Sequence, residues 1–123
     1  MDNVEFLILR NLLHNEEYVR KVIPFIKADY FENRSQKIVY EETLKFVEQY
    51  NKPVTKEILC IETEKRQDIT DGDYKEITQL ISSLEEAPTE FEWLVSTTEK
   101  WCRDRAIYLA LMESISIADG PVS

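Results

Sequence analysis

Apolar residues along this chain recur every three or four positions, which is the spacing that places side chains on one face of an α-helix. The pattern predicts six helices, over residues 4–13, 15–24, 34–50, 56–65, 74–87 and 89–118. Between the second and third helices, "ADYF" predicts a single buried turn. The chain has only two glycines and four prolines, so a few long helices are favoured over many short strands. The predicted fold class is an all-α helical bundle that ends in a long helix.

Helix boundaries are predicted from residues that cap or break helices. Asn15, Thr55 and Thr89 are the predicted N-caps of the second, fourth and sixth helices, because their side chains can accept a hydrogen bond from a free backbone N–H. Pro24 is expected to bend or end the second helix, and Pro88 to end the fifth, because proline supplies no N–H.

The predicted core is rich in aromatic side chains. Phe31, Tyr40, Leu44 and Phe46 are expected to be buried in one cluster with the first helix. Five aromatic residues between positions 30 and 50 are assigned to the core: Tyr30, Phe31, Tyr40, Phe46 and Tyr50. Three residues of the fourth helix are assigned to its apolar face: Ile58, Leu59 and Ile61.

The last helix changes character halfway along its length. Its first half is amphipathic, with one apolar side: Phe91, Leu94, Val95, Thr98, Trp101 and Cys102. In "RAIYLALMESISIA" the apolar residues go most of the way round, and such a helix must be covered on all sides. The core of one domain covers only one side, so a partner helix is predicted; the alternative is that the whole segment is core. The predicted interface residues are Ile107, Tyr108, Leu111, Met112 and Ile115.

Charge argues against direct binding of nucleic acid. The net charge is −9, and the excess of acidic residues is spread along the chain. A phosphate backbone requires clustered Lys and Arg, but in the best local candidate Asp104 separates Arg103 from Arg105. The acidity instead favours solubility or a basic protein partner.

Sequence features of secretion and of membrane insertion are also missing. The acidic start "MDNVEF" is opposite to the positive n-region of a signal peptide, and no apolar run approaches the roughly 20 residues of a membrane span. The expected location is the cytoplasm.

Motifs that carry chemistry are absent from the sequence. It contains neither a G-x-x-x-x-G-K-[ST] phosphate loop nor a G-x-S-x-G nucleophile elbow. Residues 68–73 lack the spacing of a calcium loop and are interpreted as a helix-capping turn. Cys60 and Cys102 are far apart, and there is a single histidine, so no zinc site is expected. We therefore expect no catalytic, cofactor-binding or metal-binding residues in this chain.

The order of these elements resembles the start of DnaB-family replicative helicases, in particular those of T-even-type phages. The resemblance rests on Glu5 before the first apolar helix, the capped helix after Asn15, the aromatic turn "DYF", the helix with "IVYEETLKF", and the break "KPVT". It continues through "TEKW" and "RDRA" in the last helix and covers nearly the whole chain.

The resemblance implies a helical collar domain ahead of a RecA-like motor that binds ATP and Mg²⁺. It divides the chain into a helical bundle (1–88), the first arm of an oligomerisation hairpin (89–118), and a loop or linker before the motor (119–123). It further implies a hexameric parent helicase that docks primase and a helicase loader. This chain alone is expected to be a monomer or a weak dimer without enzymatic activity. The alternative is a free-standing acidic adaptor for a basic protein partner, and a phosphate loop encoded after Ser123 would decide between them.

Overall fold

The computed structural model describes residues 3–118, and it confirms the all-α prediction within that range. The predicted loop at 119–123 lies outside the described residues. Two short 3₁₀ turns lie between the second and third helices, at Ile23–Phe25 and Ala28–Tyr30. The six α-helices are α1 (Val4–His14), α2 (Glu16–Val22), α3 (Arg34–Tyr50), α4 (Lys56–Glu64), α5 (Asp71–Ser83) and α6 (Phe91–Ala118).

Two of the predicted helix caps are confirmed. The Asn15 side chain accepts a hydrogen bond from the N–H of Tyr18 at 3.0 Å, and the Thr55 hydroxyl accepts one from Ile58 at 3.2 Å. Pro24 has the predicted effect, since α2 ends at Val22 and the chain tightens into a 3₁₀ turn. Each cap satisfies a backbone donor that the helix itself leaves unpaired.

The predicted start of α6 is wrong. Thr89 does not cap this helix; its hydroxyl instead lies 3.4 Å from the guanidinium of Arg10. The Glu90 carboxylate accepts from the N–H groups of Glu92 and Trp93, at 3.2 and 2.6 Å. A carboxylate is favoured at this position because it also faces the positive end of the helix dipole.

Both predicted ends of α5 are also wrong. Thr70 and Asp73 each accept a hydrogen bond from the backbone N–H of the other, and this capping box starts the helix at Asp71. Residues 68–73 are thus a capping segment, as predicted, but the last three are helical. The helix ends at Ser83, well before Pro88, because Leu84 leaves the helical conformation and its side chain is completely buried.

Aromatic rings join α3 to α6 in the centre of the core. The Phe31 ring centroid lies 5.3 Å from that of Tyr40 and 4.9 Å from that of Trp101. Tyr30 meets Trp101 edge-on at 5.9 Å, and the Tyr40 hydroxyl donates to the carbonyl of Ile26 at 2.7 Å. The predicted burial of these residues is confirmed.

The far ends of the predicted apolar faces lie outside the core. Leu44 and Phe46 are only half-buried, and Tyr50 is exposed with its ring centroid 4.7 Å from that of Phe46. The 17 residues of α3 rise about 26 Å, which exceeds the width of core that it covers. Ile61 is exposed because Leu59 turns the opposite face of α4 inward.

Arg66 holds the loop between α4 and α5 against α3. Its guanidinium lies 2.7 Å from the Glu42 carboxylate, whose side chain is only 3% exposed, and 2.8 Å from Asp68. The hydrogen bond from Arg66 lowers the pKa of Asp68. Lys45 is a second cation on Glu42, at 2.9 Å. The buried carboxylate thus has two cationic partners, and Arg66 links it to the loop.

We expect Phe31→Ala and Phe46→Ala to differ in their effect on stability. Truncating the buried Phe31 removes packing on two rings and leaves a cavity, so the free energy of unfolding should fall by about 3–5 kcal/mol. Phe46 is only partly buried, so Phe46→Ala should lower the free energy of unfolding by less than half as much. Urea unfolding of both variants measures the difference, and equal losses would contradict this placement of the core.

We expect Arg66→Met to lower the free energy of unfolding by about 3 kcal/mol, because it leaves Glu42 buried without its inner partner. The matched control is Arg20→Met, since Arg20 pairs with Glu16 on the surface and such pairs contribute at most about 1 kcal/mol. Chemical denaturation at neutral pH measures both. A loss at Arg66 no larger than that at Arg20 would show that Lys45 alone is sufficient.

Candidate interaction surface

A buried pair of hydroxyl groups attaches the first half of α6 to α2. The Tyr18 hydroxyl lies 2.6 Å from that of Thr98, and Thr98 in turn donates to the carbonyl of Leu94 at 2.8 Å. Burial raises the pKa of Tyr18, so this phenol stays protonated and can donate to Thr98. Each hydroxyl group in this series of hydrogen bonds therefore has a partner. Directional hydrogen bonds as well as apolar packing fix the position of α6 over the bundle.

Trp101 connects α6 to the beginning of α1. Its indole N–H donates to the Glu5 carboxylate at 3.1 Å, while the ring packs against Phe31 and Tyr30. Glu5, the acidic residue of the sequence resemblance, therefore serves as the acceptor for a tryptophan that is otherwise buried.

The last polar anchor of α6 is Arg105. Its Nε donates to the carbonyl of Tyr30 at 2.6 Å, and its Nη1 lies 3.2 Å from the Glu32 carboxylate. The guanidinium carbon also lies 4.8 Å from the ring centroid of Tyr108. One turn further on, Leu109 is still partly buried against the core. We call the segment from Arg105 to Leu109 the neck, because the rest of α6 extends beyond the bundle.

Side chains around and beyond the neck expose a contiguous apolar surface, which we call the apolar stripe. Its members are the five predicted interface residues: Ile107, Tyr108, Leu111, Met112 and Ile115. They are between 45% and 58% exposed. At 3.6 residues per turn they span roughly 140° of the helix circumference. The alternative that this whole segment is core is therefore wrong, whereas its use as an interface stays a prediction.

The apolar stripe is a large unpaired surface for a chain of this size. Fully burying a Leu, Ile or Met side chain contributes roughly 1.5–3 kcal/mol, and contiguous apolar patches beyond a few hundred Å² are uncommon on monomers. Leu109 and Ala110 do not belong to the stripe, because they lie on other sides of the helix. The side chain of Ile117, part of the predicted apolar pattern, lies outside the described residues.

Sequence reasoning did not find two further exposed aromatic residues, Phe25 and Trp93. Trp93 is in the first turn of α6, and Phe25 ends the 3₁₀ turn that contains Pro24. A proline beside an aromatic residue was the available signal at Phe25, because Pro24 ends α2 and both Pro24 and Phe25 are exposed in the following turn.

The cysteine and histidine side chains lie in environments that serve the packing of the fold. Burial raises the pKa of Cys102 to about 11 and also raises that of Cys60, so neither thiol is activated as a nucleophile. His14 lies with Nε2 2.7 Å from the carbonyl of Leu84. Among residues 3–118, no three His, Cys, Asp or Glu side chains are grouped so that they could hold a metal ion.

None of the helices in the described range is both long enough and apolar enough to cross a membrane.

Two comparisons with known proteins identify related sequences. The family model of the DnaB-like helicase N-terminal domain matches residues 2–92, which include α1 to α5 and the first residues of α6. The DnaB-like replicative helicase of Enterobacteria phage T4 is 30% identical over 111 residues. That alignment covers 90% of this chain but 23% of the phage protein, so the chain spans less than a quarter of that relative.

We expect this chain to bind single-stranded DNA negligibly, even at low salt. Arg105 is engaged by Glu32 and a backbone carbonyl, which leaves Arg103 as the exposed member of the pair that the sequence offered as its best basic candidate. Fluorescence anisotropy with a labelled oligonucleotide is the measurement, and Arg103→Ala is the control variant. Salt-sensitive binding that this substitution weakens would contradict the expectation.

Proposed function

The chain belongs to the DnaB-like helicase N-terminal domain family, and we propose that it is the assembly and partner-docking domain of a phage replicative DNA helicase. The parent protein would unwind DNA at the replication fork with energy from nucleotide hydrolysis. ATP and Mg²⁺ would be bound by a motor domain, because these residues contain no phosphate loop and do not fit a nucleotide. The domain itself would be non-catalytic.

The apolar stripe carries this proposal. A helix whose outer half is apolar over roughly 140° gains stability only when another surface covers it. The neck fixes the direction of the helix, and the stripe is therefore presented from a rigid support. A domain that builds an oligomer requires such a surface, whereas a monomeric enzyme domain of this size does not.

Docking of a primase or a helicase loader is the second part of the proposal. The net charge of −9 favours partners with basic surfaces and accelerates their approach. The same acidity also fits a free-standing adaptor for a basic protein. A phosphate loop encoded downstream of Ser123 in the same gene supports the helicase, and its absence supports the adaptor.

We expect the unmodified chain to self-associate weakly and the variant Leu111→Glu/Ile115→Glu to be monomeric. Two carboxylates in the centre of the stripe would have to be desolvated on contact, which outweighs the remaining apolar gain. Sedimentation velocity across a concentration series from micromolar to millimolar is the measurement. Both residues are exposed, so the melting temperature should change little.

The matched control is Ile61→Glu/Trp93→Glu, which adds the same charge at two exposed apolar residues outside the stripe. It should associate as the unmodified chain does. A chain that stays monomeric at millimolar concentration, or a control that loses association equally, would contradict the proposed function.

A further inference from the structure

A small pocket opens between the C-terminal half of α3 and the helix α4. Its lining residues are Glu42, Lys45, Phe46, Gln49, Tyr50 and Glu62. The five residues from α3 recur at helical spacing and lie on one face of that helix, while Glu62 belongs to α4. The volume of about 210 Å³ is below the roughly 300–1,000 Å³ of pockets for small ligands, and it suits one side chain of a protein partner. We call it the Tyr50 pocket.

Two aromatic rings form one side of this pocket. The ring centroids of Phe46 and Tyr50 are 4.7 Å apart, and Tyr50 is 53% exposed. The face of an aromatic ring attracts cations, and arginine is the commonest cation there because its planar guanidinium also stacks on the ring. Single exposed aromatic residues are common on protein surfaces, so the polar groups of the pocket decide what it can bind.

Glu42 supplies the pocket with a buried negative charge. Its Oε2 lies 2.7 Å from the guanidinium of Arg66, which does not line the pocket. Its Oε1 lies 2.9 Å from Nζ of Lys45, which does, so this oxygen is on the side of the pocket. Oε1 nevertheless accepts no hydrogen bond from any residue that the structure describes. Buried carboxylate oxygens are normally hydrogen-bonded, and Oε1 can therefore accept from a donor that enters the pocket.

Lys45 shows where a cation is stable in the pocket. Its side chain is 61% exposed, so its ammonium can move into solvent at little cost. The lining then retains the two carboxylates of Glu42 and Glu62, and an incoming cation would meet both. A guanidinium has five donors and a flat face, so it can donate to Oε1 of Glu42 and stack on Tyr50 at the same time. An ammonium is a point charge without such a face, which favours arginine over lysine as the occupant.

We propose that the Tyr50 pocket binds an arginine side chain from a basic segment of a protein partner. The guanidinium displaces the ammonium of Lys45, donates to Glu42 and stacks on Tyr50. The net charge of −9 is complementary to such a segment and accelerates its approach. This inference rests on the partner-docking part of the proposed function. It does not involve the apolar stripe, because none of the lining residues belongs to α6.

Three peptides of equal length test the chemistry of the occupant. They carry arginines, lysines or citrullines at the same positions between Gly and Ser spacers, and citrulline has the shape of arginine without its charge. Each peptide is titrated into the isotopically labelled chain and followed by two-dimensional NMR. We expect the arginine peptide to bind about two- to fivefold more tightly than the lysine peptide, and the citrulline peptide to bind negligibly. The largest shifts should be at the backbone of Tyr50 and the side-chain amide of Gln49.

Two variants with matched controls test the pocket itself. Tyr50→Leu removes the exposed ring and should weaken binding of the arginine peptide about two- to fivefold, whereas Phe25→Leu, at an exposed ring outside the pocket, should not. Lys45→Met removes the competing ammonium and should strengthen binding about two- to fivefold. Lys21→Met makes the same change of charge at an exposed residue outside the pocket and should have a smaller effect. Thermal melting checks that all four variants keep the fold.

Several outcomes would overturn the inference. Equal binding of the arginine and lysine peptides, or equal effects of Tyr50→Leu and Phe25→Leu, would show only general attraction to an acidic chain. Weaker binding by Lys45→Met would show that its ammonium does not compete for the pocket. If Tyr50→Leu abolishes self-association in sedimentation velocity, the pocket receives a second copy instead of a basic partner. The stripe variant Leu111→Glu/Ile115→Glu tests the proposed function separately, since it leaves the Tyr50 pocket unchanged.

Discussion

The structure depends on a mismatch between the length of α6 and the width of the core that it closes. A helix of 28 residues rises about 42 Å, which is more than a bundle of five shorter helices can cover. The covered half completes the core through Leu94, Thr98 and Trp101, each of which is buried. In the other half, five apolar side chains are left about half exposed by the residues that the structure describes. One helix therefore contributes both to folding of the domain and to a contact outside it.

Polar anchors make this division useful for recognition. Thr98, Trp101 and Arg105 each form a hydrogen bond to a different element. These directional bonds, and not only apolar burial, fix the axis of α6. A rigidly held helix loses little conformational freedom when a partner binds, and less of the contact energy is spent on ordering the surface. Because the neck is held against the core, the stripe already has a fixed orientation before a partner binds.

Local patterns in the sequence were sufficient for some helix boundaries, although they missed the Thr70–Asp73 capping box and the Glu90 cap. The predicted range of α3 agrees with the structure, since Asn33 caps it and Asn51 ends it in a left-handed conformation. The end of α5 was mispredicted because burial of Leu84, a tertiary contact, stops the helix before Pro88 does. The stripe was predictable because an all-round apolar pattern indicates missing cover. The cavity between Phe25 and Ala106 was not, because these two residues are 81 positions apart and meet only in the fold.

The net negative charge and the exposed apolar stripe have opposite effects on contact between copies of this chain. The net charge of −9 disfavours contact between copies and keeps the stripe from associating with arbitrary apolar surfaces. Exposed charges are screened over roughly 8 Å at physiological salt, whereas the gain from burying apolar area is nearly independent of such screening. Salt therefore weakens the repulsion between copies more than it changes the contact itself. The specificity of contacts at the stripe must then come from its shape and from the charges beside it. The ion pair of Lys100 with Asp104 makes the surface next to the stripe locally neutral.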